Sequence, residues 1–229
     1  MNFISVRCKI FGDAILDTTK STYRAISEAI AAFEQSALFS PYDSKYDRYL
    51  RGNYELNDLE DLGMTIFFST TNSNCSNCHQ FKVMDDEFEP FSNFEYNNIG
   101  VPTNLLLRRH NGVALGYRDP GLGEVLKPND SNWLGTFRVP ILRNVALTGP
   151  YMHNGVFRDL RTVIEFYDQY NNSKRVNNPE TEVPWRSAEI VETVNLNDLK
   201  AKKLSDRKIE ALIAFLKTLT DKRYEHLVN

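Results

Sequence analysis

The sequence predicts a mainly α fold broken by long irregular loops, and three observations point to it. Apolar residues recur at helical spacing behind capping residues in four separate segments. Between them, residues 85–140 are rich in Asn, Gly, Pro and Asp and show no sustained period of either kind. The 229 residues are 41% hydrophobic, enough for a buried core, yet no apolar run approaches the roughly 20 residues of a membrane span.

Taken in order, Ser21 can cap a helix in which Ile26, Ala29, Ile30 and Phe33 fall at i, i+3, i+4 and i+7, so that one stripe is expected to face a core. Pro41 and the polar run after it end that element. A second helix is expected from about Asn57, with Leu59, Leu62, Ile66 and Phe67 on one side, followed by a short run of Ser, Thr and Asn. Helical character returns behind Asp159, where Leu160, Val163, Ile164 and Tyr167 form a stripe that puts Tyr167 on the buried face. A last helix opens at Ser205 and carries Ile209, Leu212, Ile213 and Leu216 toward the core.

The chemistry is concentrated in Cys75-Ser76-Asn77-Cys78-His79. Two thiols and an imidazole at this spacing are what covalent c-type haem attachment requires: the sulfurs add to two vinyl groups and the adjacent histidine ligates iron. With three cysteines and four histidines in the chain, chance placement would produce the string in only about one sequence in a thousand. A zinc site would need further ligands, but Cys8, His110, His153 and His226 stand apart. A thioredoxin-like dithiol would need a preceding strand and a βαβ context, which Met64 to Phe68 and the polar run do not supply. The fold expectation therefore sharpens to a cytochrome c-like haem domain carrying one covalent haem c, with residues 85–140 wrapping the cofactor. Cys8 reads as a small buried hydrophobe. A net charge of −3 offers no footprint for nucleic acid.

Haem iron held by His79 has one more axial position, and its occupant separates electron transfer from catalysis. The residues alone leave two candidates. Met152, in Gly149-Pro150-Tyr151-Met152-His153-Asn154-Gly155, lies in a turn-like segment, and His/Met ligation is the common cytochrome c arrangement. Tyr167 lies on a helix face fifteen residues on. The packing alternatives are a gap-filling Met and a core Tyr with a satisfied hydroxyl.

The stretches 23–33, 46–52, the haem motif, 98–102, 137–155 and 204–220 together resemble the C-terminal half of the bacterial di-haem cytochrome c peroxidase and MauG superfamily, and the segment from Val139 to Gly155 is the most specific of them. In that family the distal ligand of this haem lies fourteen residues after the His of that segment, a Met in the peroxidases and a Tyr in the MauG-like branch. Here that position is Tyr167, so the resemblance implies His79/Tyr167 ligation with Met152 as a neighbour. A phenolate is a hard donor that favours Fe(III) and higher states, whereas a thioether favours Fe(II). The resemblance further implies that the Thr148 and Pro150 carbonyls help hold calcium, and that Arg143 and His153 lie near the haem propionates or the region between two haems.

The implied organisation is a single C-terminal-type c-haem domain over 1–229, with a helical lead-in over 1–56 and a haem-binding core over 57–229. The family's N-terminal peroxidatic haem domain is expected as a missing domain or a separate subunit. Residues 1–16 show no secretion h-region, so a leader is expected upstream of Met1, with a periplasmic location. The function implied is that of an oxidoreductase domain storing or passing oxidising equivalents while hydrogen peroxide drives oxidation of a protein or small redox partner. The alternative is a mono-haem electron-transfer cytochrome c with His79/Met152 ligation.

Overall fold

In the computed structural model of the chain, the described residues are 10–12, 15, 17–79, 89–125 and 131–228. Cys8 lies outside them, as do parts of the 85–140 loop region. The chain divides into two compact units, residues 1–42 and 43–229.

The smaller unit contains helix α1 (Thr19–Glu34). Thr18 rather than Ser21 is its N-cap: the Thr18 hydroxyl accepts from the Ser21 amide at 3.1 Å while the Ser21 hydroxyl accepts from the Thr18 amide at 3.3 Å. Ser21 therefore closes a capping box from the first turn. The expected core-facing stripe is not buried. Ile26, Ile30 and Phe33 are each more than half exposed, and Ala25 is the buried residue of the helix.

The larger unit begins with α2 (Lys45–Leu50), a short helix capped by Ser44 that the periodicity does not reveal. Sequence reasoning places it in the lead-in; the structure groups it with the core. Next comes α3 (Asp58–Phe67), capped by Asn57 as expected, whose side chain accepts from the amides of Leu59 and Glu60 at 3.0 Å. A single helical turn, α4 (Cys75–Cys78), follows. The loop region holds two two-residue strands, β1 (Tyr96–Asn97) and β2 (Phe137–Arg138), paired antiparallel with Tyr96 opposite Arg138. Between them lies α5 (Leu105–Asn111), which ends on Gly112 in the left-handed conformation. Helices α6 (Leu160–Asp168), capped by Asp159, and α7 (Asp206–Lys217), capped by Ser205, complete the described helices where the capping residues predict them.

The core sits where α3 and α6 pack on α7. Phe67, Phe91, Phe215 and Tyr46 form its aromatic centre, with ring centroids 5.1 to 6.3 Å apart in edge-on and tilted arrangements. Ile209, Leu212 and Leu219 close it from the α7 side. This packing fixes the end of α3, and through it the approach to the two cysteines. No helix among the described residues is long and apolar enough to cross a membrane.

Candidate functional site

The polar run between α3 and the cysteines is a tied turn. The Ser73 hydroxyl donates to the Ile66 carbonyl at 2.5 Å, and the Asn74 amide group to the Asp198 carbonyl at 2.9 Å. Asn74 itself takes the left-handed conformation (φ 60°) that Asn tolerates better than bulkier residues. The chain then makes one helical turn with Cys75 and Cys78 at its ends, and His79 as its C-cap.

His79 is held by the backbone of a distant segment. Its Nδ1 lies 2.9 Å from the Phe91 carbonyl oxygen; donation there fixes the tautomer and leaves the Nε2 lone pair free. Burial lowers the pKa of the ring from its ordinary value, against the carbonyls of Phe91 and Pro140, which raise it. The imidazole is thus favoured in the neutral form a metal ligand requires. Phe91 is fully buried and adopts φ 56°, in the left-handed region. For a bulky residue that conformation costs roughly 1–3 kcal/mol and persists only where the surroundings over-determine it.

Cys75, Cys78 and His79 line a cavity of about 440 Å³, within the size range of small-molecule and cofactor sites. Its walls are largely apolar, with Phe67, Leu142, Val163, Ile164, Leu212 and Leu216 among them. Burial raises the Cys75 thiol pKa, and pushes that of Cys78 up to about 11 with help from Asp198, Glu95 and Cys75. Tyr167, presented from α6, lines the same cavity. Burial first, then the Cys75 and Cys78 thiols and Tyr170, holds its phenol well above the usual tyrosine range. The hydroxyl has no hydrogen-bond partner among the described residues.

Met152 also lines the cavity, at φ 68°, and packs beside the cluster of Val101, Phe157 and Phe166. Its turn is anchored by Asn104, which donates to the carbonyls of Asn154 and Gly155 at 3.0 and 3.1 Å, and by Asn154, which donates to the Pro102 carbonyl at 2.9 Å. His153 lines the cavity stacked on Phe137, with centroids 3.5 Å apart and rings 6° from parallel. Burial lowers its pKa, Asp119 and Glu189 raise it, and Arg108 lowers it. Thr148 and Pro150 line the cavity as well.

Arg143 is held by Asp47 and by the segment around Phe91. It does not line the cavity. Its guanidinium donates to Asp47 Oδ2 at 2.6 Å and to the Glu89 carbonyl at 2.9 Å, behind the Phe91 ring. A cation this buried must be paired, and the partner lies 96 residues away in sequence. Conversely, sequence reasoning overlooks Arg138, Asp119 and Glu189, which supply charge to the cavity lining. Arg138 stands on β2 with its guanidinium 4.6 Å from the Phe94 ring centre. Nothing in local sequence marks these residues, nor the Phe91 carbonyl.

The donor set fits a covalently held haem: two thiols one turn apart, a neutral imidazole whose Nδ1 is committed to a backbone carbonyl, largely apolar walls, and a phenol on the cavity wall with no hydrogen-bond partner among the described residues. It does not fit a bare metal ion held by side chains, since no three His, Cys, Asp or Glu residues converge among the described residues.

No family model matches the chain. Methylamine utilization protein MauG of Paracoccus denitrificans is 45% identical over 223 residues, covering 96% of this chain and 57% of MauG. A cytochrome-c peroxidase of Pseudomonas sp. strain SCT is 29% identical over 205 residues, covering 84% of this chain and 48% of the peroxidase. Among solved structures, the di-haem peroxidase BthA of Burkholderia thailandensis E264 superposes with a TM-score of 0.76 at 28% identity, covering 98% of this chain and 57% of BthA. The chain spans about half the length of the curated relatives it matches.

Proposed function

Because the chain belongs to the superfamily of MauG and the di-haem cytochrome c peroxidases, we propose that it is a haem c-binding oxidoreductase domain that stores or passes oxidising equivalents during peroxide-dependent oxidation of a partner. The observation that carries this reading is the shared cavity of Cys75, Cys78, His79 and Tyr167. Bound haem supplies one-electron redox chemistry at its iron.

The chain's own residues do the rest. Cys75 and Cys78 would hold the group through thioether bonds, and His79 would offer it Nε2 because Nδ1 is committed to the Phe91 carbonyl. Tyr167, protonated in this pocket, would offer a hard oxygen once metal binding drew off its proton, and such a donor favours the oxidised metal. The largely apolar walls would limit water around a bound group and so strengthen its polar interactions with these residues. The Thr148 and Pro150 carbonyls would supply two of the 6–8 oxygens a calcium ion takes. In the proposed setting the domain works in the periplasm beside a second haem-bearing domain or subunit, with a redox protein or small donor as partner. A mono-haem electron carrier with His79/Met152 ligation is the second reading, favoured by the position of Met152 on the same cavity.

The test is production of the chain alongside a c-type maturation system, followed by haem staining after denaturation. The parent should carry haem covalently, Cys75→Ala and Cys78→Ala should each retain one thioether, and the double variant none. A parent chain that releases all its haem on denaturation contradicts the proposal.

A further inference from the structure

We infer that Asp47 and Arg143 are positioning residues for the His79 imidazole, acting through the backbone of residues 89–91; the inference rests on His79 being an iron ligand. Residues 89–92 belong to no helix or strand, so what they touch determines where the Phe91 carbonyl stands. Arg143 Nε donates to the Glu89 carbonyl at 2.9 Å, and its guanidinium lies 5.5 Å from the centre of the Phe91 ring. The Leu142 amide donates to the Pro90 carbonyl at 3.4 Å, and the Ser92 hydroxyl to the Val139 carbonyl at 2.7 Å. The guanidinium thus grips the segment ahead of the carbonyl that receives His79 Nδ1, and the Ser92 hydroxyl ties it just after.

Arg143 is itself aimed by α2. Asp47 Oδ2 accepts from Arg143 at 2.6 Å and from the Ser44 hydroxyl and amide at 2.6 and 2.9 Å, and both ion-pair partners are nearly buried. Tyr46, the neighbouring residue on α2, hydrogen-bonds the Glu89 side chain. The line of contacts therefore runs from the cap of α2 through Asp47, Arg143 and Glu89 to Phe91 and His79. A planar guanidinium can serve the carboxylate and the carbonyl in fixed directions at once, which an ammonium cannot. Partners one shell out from a metal ligand set its tautomer, ring plane and basicity.

The experiment compares haem-loaded full chains carrying Arg143→Lys, Asp47→Asn, Ser44→Ala and Arg48→Ala. Arg48→Ala is the control: it breaks an ion pair of the same helix, to Glu225, that has no link to residue 89. The ferric low-spin electron paramagnetic resonance spectrum reports the plane and strength of the axial imidazole. The parent and Arg48→Ala should share one set of g values. Arg143→Lys and Asp47→Asn should shift or split it and move the reduction midpoint, with Ser44→Ala changing less in the same direction. Unchanged g values and midpoint in variants that only lose thermal stability would overturn the inference and leave the pair a structural tie. If the parent carries no thioether-linked haem, the proposed function fails instead. The same comparison is then read from the His79 tautomer in long-range proton–nitrogen correlation spectra. Nδ1–H should dominate in the parent and in Arg48→Ala and become mixed in Arg143→Lys and Asp47→Asn, and an unchanged tautomer there again overturns the inference.

Discussion

Gly63 on α3 faces the Ala211 carbonyl on α7 so closely that a Cβ at position 63 would overlap that oxygen and come within 2.8 Å of the Phe215 Cβ. The obstacle is helical backbone, which cannot rotate aside. Gly63→Ala should therefore destabilise the chain by the upper part of the ~1–3 kcal/mol typical of overpacking, despite the ~1 kcal/mol that helix propensity returns. Thermal unfolding should show a midpoint lower by several degrees, about 2–4 °C per kcal/mol for a chain of this size. An unchanged midpoint would mean that α3 and α7 can separate at no cost.

Cys78 gives a pH prediction. Burial keeps its thiol protonated up to about 11, whereas an unfolded cysteine ionises near about 8.5. The shift is upward for an acid, so its stabilising contribution is full below about pH 8.5 and is lost as pH rises from there toward about 11. In the haem-free chain, Cys78 alkylation should be slow at pH 7 and rise with a midpoint near the folded value, because the thiolate is the nucleophile. Rapid labelling at neutral pH would show that the thiol is not held as the structure has it.

The helices whose start is set by one side chain and one stripe were legible: Asn57, Asp159 and Ser205 cap α3, α6 and α7 as their sequences predict. For α1 the stripe misleads, since Ile26 and Ile30 repeat at helical spacing yet stay exposed; period reports a face and not what covers it. Helix α2 is too short for a 3.6-residue period to register. The cysteine–histidine motif and Tyr167, which line one cavity, could be singled out because their information is local or a fixed distance from a marked segment. Arg143 could not be placed, because its partner Asp47 is brought in from 96 residues away, and the Phe91 carbonyl has no side-chain signature at all.

Peroxide turnover by this chain should be negligible, because His79 and Tyr167 together would fill both axial positions and leave peroxide no open site. A steady-state assay with a reduced small donor measures it directly. Tyr167→Phe, which removes the oxygen and keeps the ring, should raise the rate by vacating a position. Robust turnover by the parent would show that an axial position is open.

The ligand pair is tested most directly by the spectrum of the oxidised, haem-loaded chain beside Tyr167→Phe and Met152→Leu. With His79 and Tyr167 on the iron, the near-infrared charge-transfer band of a Met-to-iron bond is absent, Tyr167→Phe changes the spectrum strongly, and Met152→Leu leaves six-coordination intact. A Met-to-iron band in the parent, lost in Met152→Leu while Tyr167→Phe is silent, would contradict the assignment and leave an electron-carrying cytochrome in its place.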